Sequence, residues 1–526
     1  MKRNTHFNVL IALTYSATLI VGMFLGYKFL KDQGYQFQKP VAFVNNNTEK
    51  VDEIIHIINK NYVDEVNADS LNHLPIDSLL HQLDPHSMYL PADEASEQTE
   101  ALEGNFEGIG VEYYILNDTL LVTNVVKDGP AFNAGIKQGD KILKIDTVTV
   151  SGKALPREQM VGRIRGKKGT AVKLTILHPR DTQQMVFFVN RSRVKVSSID
   201  AAYLLNSETA YVRISKFGAD TDKDFIEAIR SLKSKGMKKL ILDLRDNGGG
   251  YLSAATGLAN QILQENKLIV YTEGKHEPRT DYTTSGGGEF EQGKLAVLIN
   301  ENSASASEIL AGAVQDWGRG VIIGRRSFGK GLVQEQFPFG DGSALNLTIA
   351  RYYTPSGRSI QKSYKKGYRA YKNEIDDRFN DGELTTDNTY SAKDTVKSKN
   401  LARGGIQPDI YVKLDTTGYN RFYSKLISKK ILFDFVYDIL AKRYNASYLD
   451  QNMSTFSISD VDYKDLLKYI QNRDVVIDQK QLSASKSLIC NEIKLLLYKY
   501  HLGDAGYYKA LNLSDPMVKQ AVASLQ

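Results

Sequence analysis

The sequence predicts a multidomain protein of mixed α+β and α/β class, and three observations carry that prediction. Residues 193–415 alternate apolar strands with amphipathic helices, the pattern of a core whose strands are buried on both faces. Residues 104–192 read instead as short strands between glycine turns, a β-rich module of ~85 residues. The chain's 526 residues leave room for more than these two units, since domains average ~150 residues. A polar helical region (28–103) precedes them and a helical extension (416–526) follows.

The elements justify themselves in chain order. Lys2 and Arg3 precede an apolar run from Phe7 to Tyr27, long enough to cross a bilayer, which takes ~20 residues. Residues 1–27 therefore read as a membrane anchor or signal segment. The run exceeds a usual signal peptide and no clear cleavage site follows, so an uncleaved single span is expected. The basic N-terminus places the bulk of the chain outside the cytoplasm, on the periplasmic side if the cell is Gram-negative, with the inner membrane as a partner. In VDEIIHIINKNYVDEV, Ile54, Ile55, Ile58 and Val63 fall near helical spacing, and Pro85 and Pro91 then break the pattern. In the β-rich module LLVTNVV, DKILKI, DTVTV, AVKLTILH and QMVFFVN read as strands and PAFNAG as a helical turn. In the core AYVRIS, KKLILDLR and KLAVLIN are strands, each followed by a helix; KDFIEAIRSLKSKG, the first, closes at Gly236. Residues 375–400 are polar and weakly periodic and read as a mobile loop.

Composition excludes some functions. The formal net charge of +6 is spread over the whole chain with no long basic run, so no nucleic acid is expected. The single cysteine, Cys490, rules out an intramolecular disulfide and reads as a buried apolar residue.

The candidate chemistry begins at SASASE, residues 303–308. Ser305 and Glu308 stand as S-x-x-E, and Ile309, Leu310, Ala313, Val314 and Trp317 follow at helical spacing, so Ser305 taken alone is a helix N-cap. Its surroundings allow more. The helix starts straight after a buried strand, where α/β proteins gather their sites, and its N-terminus offers unpaired N–H groups. DLRDNGGG ends another buried strand, and Gly248 to Gly250 let backbone N–H groups face a ligand. A tight turn or a phosphate loop would use the same glycines, but the spacing of known phosphate loops is missing, and an oxyanion hole suits them at least as well. None of the eight histidines lies between residues 277 and 500. Lys330, hemmed by glycines, is a usable base if burial depresses its pKa, and Gln334 can orient its amine. Alone, Lys330 would read as a surface lysine.

Taken together the motifs resemble the carboxy-terminal processing proteases, serine endopeptidases with a Ser-Lys dyad and an embedded PDZ domain. LDPHSMYL (83–90), FEGIGV (106–111), GPAFNAGIKQGDKIL (129–143), IRGKKGT (164–170), DLRDNGGG (243–250), SASASE (303–308), FGKGLVQ (328–334), YYTPSGRSIQ (352–361) and GIQPDI (405–410) occur in that family's order. The resemblance covers roughly residues 48–412. It implies a PDZ domain at 104–192 and a crotonase-like α/β protease core at 193–415. Ser305 would be the nucleophile, Lys330 the general base and Gln334 the residue orienting the lysine. The oxyanion hole would use the N–H of Ala306 with Gly249 or Gly250; Gly248 stands where the family often has proline, which leaves that choice open. Gly108, Ile109, Gly110 and Val111 would bind a chain-terminal carboxylate, and the tail would add as a strand to the domain edge. Arg165 matches a position resembling a PDZ-to-protease sensor.

The function expected is thus an ATP-independent endopeptidase acting on exported polypeptides with apolar C-terminal tails, with no cofactor and no metal. The extension could cover the core, bind an adaptor or form a homo-oligomer contact. The competing reading is a membrane-tethered PDZ scaffold or chaperone with a silent protease fold.

Overall fold

The computed structural model describes residues 47–66, 76–152, 155–179, 181, 183–386, 404–473 and 475–526. They belong to two compact units, Met1–Glu53 and Ile54–Gln526. The first is represented by the opening turns of a helix, Asn47–Asn61. The candidate span Phe7–Tyr27 lies outside the described residues, and among those described no helix is long and apolar enough to cross a membrane.

The second unit is built on a six-stranded sheet in the order Ile199–Leu204, Thr209–Ile214, Lys239–Asp243, Lys294–Ile299, Val321–Gly324 and Ile410–Tyr411. The first pair is antiparallel and the rest are parallel. Alternation along the strands sorts their side chains to two faces. Val212, Leu242 and Val297 pack with Phe225, Ile229, Leu258, Leu310 and Val314 from the helices Thr221–Ser234, Leu252–Ile262 and Ala306–Asp316. Tyr211, Ile241, Ala296, Leu298 and Ile323 pack on the other face against Met517, Val518 and Ala521 of the last helix, Pro516–Ser524. The second cover of the core therefore comes from the extreme C-terminus.

A second sheet joins Met88–Leu90, Ala344–Tyr353, Leu268–Glu273 and Thr280–Thr283, with Leu332–Pro338 paired along Ala344–Tyr353. The β-rich module is an antiparallel sheet of its own. Its edge strand Val111–Leu116 leads to Thr119–Val125, Lys141–Ile145, Ala171–Leu177 and Gln184–Asn190, and Val148–Thr149 pairs with Lys141–Ile145. A ribbon of Asn105–Gly108 and Ser192–Lys195 joins the chain's entry to its exit.

The C-terminal extension has its own apolar core around Phe435, Leu466, Ile489 and Ile493, and this core also takes in Leu116 and Leu121 of the β-rich module. Tyr114 on the module's edge strand donates to Asp434 of the extension at 2.8 Å. The long helix Gln479–Asn512 is broken at Gly503, whose φ of 66° and ψ of −165° are not helical. Cys490 lies in that helix and is half-buried.

The expected loop at 375–400 is corrected in its first part. Glu374–Asn380 is a helix, because Glu374 and Arg378 face a buried ion cluster while Asp376 and Asp377 face solvent. Arg326 pairs with Glu374 at 2.9 Å and with Glu383 at 2.8 Å, and Arg378 pairs with Glu383 at 3.0 Å. Residues 387–403 lie outside those described.

Candidate active site

Two neighbouring parallel strands, Lys239–Asp243 and Lys294–Ile299, run in register, with Leu242 beside Val297. Their carboxyl ends therefore deliver the glycine turn (247–250) and the serine turn (300–305) side by side, where ligands of α/β sheets bind. The three alternate serines divide the labour. Ser303 Oγ donates to Leu244 O at 2.7 Å and Ser307 Oγ to Asn247 O at 2.9 Å, both buried, so the outer two bolt the serine turn to the glycine turn. Ala304 N–H adds a bond to Asn247 O at 3.0 Å. Ser305, between them, lines the cleft. It has φ 55° and ψ −114°, a conformation costly for a residue with a Cβ and typical of side chains held up by a strained strand-to-helix turn.

The glycine turn answers to this crowding. Gly249 has φ +102°, and a Cβ there would lie 2.8 Å from Ser305 Cβ; at Gly250, with φ +148°, it would lie 2.1 Å from Phe217 O. Gly249 N–H donates to Asn247 Oδ1 at 2.8 Å, so it is engaged inside the turn. The N–H groups of Gly250 and Ala306 find no acceptor among the described residues. An oxyanion could use these two directly, whereas Gly249 would first have to release Asn247.

Lys330 enters from the loop after Val321–Gly324. Its Nζ donates to Gln334 Oε1 at 2.8 Å. Gln334 sits at a register shift between Val333 and Gln334 in the pairing with Ala344–Tyr353, and such a bulge re-aims a side chain. Its amide nitrogen donates to His86 O, which leaves Oε1 to face the lysine. His86 is placed by Asp84, which accepts from His86 N–H at 2.8 Å, from Ser87 N–H at 2.9 Å and from Ser87 Oγ at 2.6 Å. That turn accounts for the LDPHS motif. Burial lowers the Lys330 pKa, against the pull of Asp84 and Glu308. Burial, with Lys330 and Lys362 nearby, also drives His86 down to about 3, so it is neutral at physiological pH. No hydrogen bond joins Ser305 Oγ to Lys330 Nζ, although both line one cleft of about 480 Å³ with Leu102, Leu252, Ile309 and Leu332.

Glu308, read from sequence as half of a capping box, proves to be the hub of the site. Its Oε2 accepts from Ser305 N–H at 2.9 Å and Lys330 N–H at 2.8 Å, and its Oε1 from Ser327 Oγ at 2.5 Å and Gly329 N–H at 2.7 Å. It is fully buried, and burial raises its pKa to about 7 against those four donors. Sequence reasoning missed this because S-x-x-E looks the same on a solvated helix. It also missed His86 and Asn247, whose contributions run through backbone carbonyls and a turn amide.

The expected tail-binding residues lie together on the other module. Ile109 and Val111 are buried, Gly110 has φ +78°, and the N–H groups of Ile109 and Gly110 find no acceptor among the described residues. Met160 and Ile164, from the helix Arg157–Ile164, share the module's core with Ile109 and Val111. Arg165, at the end of that helix, reaches Glu100 at 3.3 Å and Glu97 at 3.8 Å on the helix Ala92–Glu103, whose Gln98, Thr99 and Leu102 line the cleft of Ser305 and Lys330. Among the described residues no three His, Cys, Asp or Glu side chains gather as a metal-ion site.

Comparison with known proteins agrees with this organisation. The profile of peptidase family S41 matches residues 208–367 and that of a PDZ domain residues 108–186. A protein of Staphylococcus haemolyticus named "Probable CtpA-like serine protease" is 32% identical over 375 residues, 71% of this chain and 72% of that protein. One of the same name from Staphylococcus aureus is 34% identical over 316 residues, 60% of this chain; the chain thus spans 62% of the length of that relative. The solved photosystem II D1 C-terminal processing protease aligns over 70% of this chain and 94% of its own at 24% identity, with a TM-score of 0.38, too low to carry weight. The chain belongs to peptidase family S41 and carries a PDZ domain.

Proposed function

We propose that the chain is an ATP-independent serine endopeptidase that takes polypeptides by their C-terminal tails and cuts them through an acyl-enzyme. The observation that carries this reading is the pairing, in one cleft, of Ser305 on a strained helix-start turn with a half-buried Lys330 whose pKa desolvation lowers. Ser305 Oγ attacks the peptide carbonyl carbon and its proton passes to the Lys330 amine. The oxyanion is met by backbone N–H groups of Ala306 and the glycine turn, and the C–N bond breaks as Lys330 returns the proton to the leaving amine. Water then attacks the ester by the same proton route in reverse, and Ser305 is restored. Gln334 holds the amine aimed at the cleft. The apolar lining by Leu102, Leu252, Ile309 and Leu332 suits an apolar residue before the scissile bond.

The tail carboxylate would take the open N–H groups of Ile109 and Gly110, and the tail would pair with the edge strand Val111–Leu116. Arg165 would relay tail binding to the helix Ala92–Glu103 and so to the cleft. The apolar N-terminal run supports anchoring in the cell membrane with these domains outside the cytoplasm. An unstructured polypeptide ending in an apolar residue, offered with a free and with an amidated C-terminus, tests tail recognition. Amidation is expected to raise KM about tenfold, the scale of one lost charge-assisted contact; equal KM values would refute it.

A second reading, a PDZ scaffold with a silent protease fold, is favoured by one observation: Lys330 Nζ is bonded to Gln334 and not to Ser305. On our reading that is the resting arrangement, which tail binding converts.

A further inference from the structure

Beneath the glycine turn lies a buried charge cluster to which the C-terminal extension contributes. Arg245, within DLRDNGGG, places Nε 2.9 Å and Nη2 2.6 Å from the Asp243 carboxylate, and Nη1 2.6 Å from Asp515 Oδ2. Asp243 is fully buried and also accepts from Tyr211 at 2.6 Å, and Arg213 lies 3.3 Å from it. The Arg213 guanidinium rests 4.7 Å from the ring of Tyr508, another residue of the extension. Asp515 Oδ1 meanwhile caps the last helix, accepting from Met517 N–H at 2.8 Å and Val518 N–H at 3.1 Å. Its two oxygens thus tie that helix to the turn. The next residue after Arg245, Asp246, bonds the serine turn through Asn300 at 2.9 Å and 2.7 Å. Arg213 also lies 3.6 Å from Asp200 and 3.8 Å from Asp246, so two arginines face four aspartates here; without Asp515 the Arg245 guanidinium keeps Asp243 but loses its tie to the last helix.

We propose that the C-terminal extension completes the active site, with Asp515 as a positioning residue that holds the glycine turn 247–250 in place through Arg245. Asp515 lies outside residues 208–367, the stretch that matches the family profile. The proposal rests on the Ser305–Lys330 reading, so its test includes Ser305→Ala. Asp515→Asn can keep a capping oxygen for the helix, while it removes the charge and turns an NH₂ donor toward the Arg245 guanidinium. In the full chain, Asp515→Asn and Arg245→Met are each expected to lower kcat at least about tenfold with KM within about twofold, and the double variant to be no worse than the worse single. Lys519→Ala, on the exposed side of the same helix, is expected to match the parent.

A folded Asp515→Asn with parental kcat overturns the proposal, as do losses that multiply in the double variant. Should Asp515→Asn fail to fold, Asp515→Glu decides, since it keeps charge and cap but displaces the carboxylate by one methylene: parental kcat refutes positioning. If the parent and Ser305→Ala cleave alike, the protease reading fails instead. Hydrogen exchange then judges the inference by itself. Asp515→Asn, or Asp515→Glu if the former does not fold, must speed exchange of the Gly249 amide, which is bonded to Asn247, and leave that of Val111 unchanged; an unchanged rate at Gly249 overturns it.

Discussion

At the scale of single residues, the proposed chemistry depends on a lysine whose pKa desolvation lowers. A lysine with its pKa depressed is uncharged over more of the pH range, so the active fraction rises with pH and levels off below the ordinary lysine value of 10.5. His86, held near 3, adds no limb between pH 5 and 8. The pH profile of kcat/KM is therefore expected to show one ascending limb that plateaus below pH 10.5; a limb following an unperturbed lysine would contradict the assignment. The residues concerned were partly legible. Ser305, Lys330 and Gln334 stand in motifs whose order carries information, and the structure brings them to one cleft. The choice between Gly249 and Gly250 was not legible, because it turns on whether a backbone N–H is already engaged, and that is decided by the Asn247 side chain.

At the scale of elements, the cleft is two turns bolted together by Ser303 and Ser307, with a loop pinned to the serine turn by one carboxylate. Glu308 ties the N-terminus of Ala306–Asp316 to the loop at Gly329 and Lys330. Glu308→Gln turns an acceptor of four donors into a group whose NH₂ faces donors, and is expected to cost about 2–4 kcal/mol. The linkage has a definite sign. A carboxyl raised from 4.5 to about 7 holds its proton longer in the folded state, so its contribution is complete below pH 4.5 and is lost as pH rises through 7. The stability difference between parent and Glu308→Gln, from urea unfolding, should shrink from pH 4.5 to 7; a difference that grows would show that the carboxylate dominates in its charged form. The strands and helices of the core were legible because apolar periodicity survives in single segments. The helix Glu374–Asn380 was not, since its cohesion comes from ion pairs with Arg326, distant in sequence and invisible to local pattern.

At the scale of the whole molecule, the extension is the part least readable from sequence. Its helices have ordinary amphipathic patterns, and nothing in them says that one cluster packs on the PDZ edge while the last helix covers the core's second face. That arrangement makes residues far apart in the chain share one cleft and its supports. The exposed Arg165 contacts are individually weak, so any relay from tail to cleft must act through the helix Ala92–Glu103 as a body. The central claim, that Ser305 and Lys330 cut polypeptide, is tested most directly by one assay. The full chain, Ser305→Ala and Lys330→Ala are each incubated with an unstructured polypeptide ending in an apolar tail, and the fragments are weighed by mass spectrometry. The account predicts cleavage by the parent alone, with both variants down by at least about 10³-fold. Cleavage by either variant at the parental rate would contradict it and return Ser305 to the role of a helix cap.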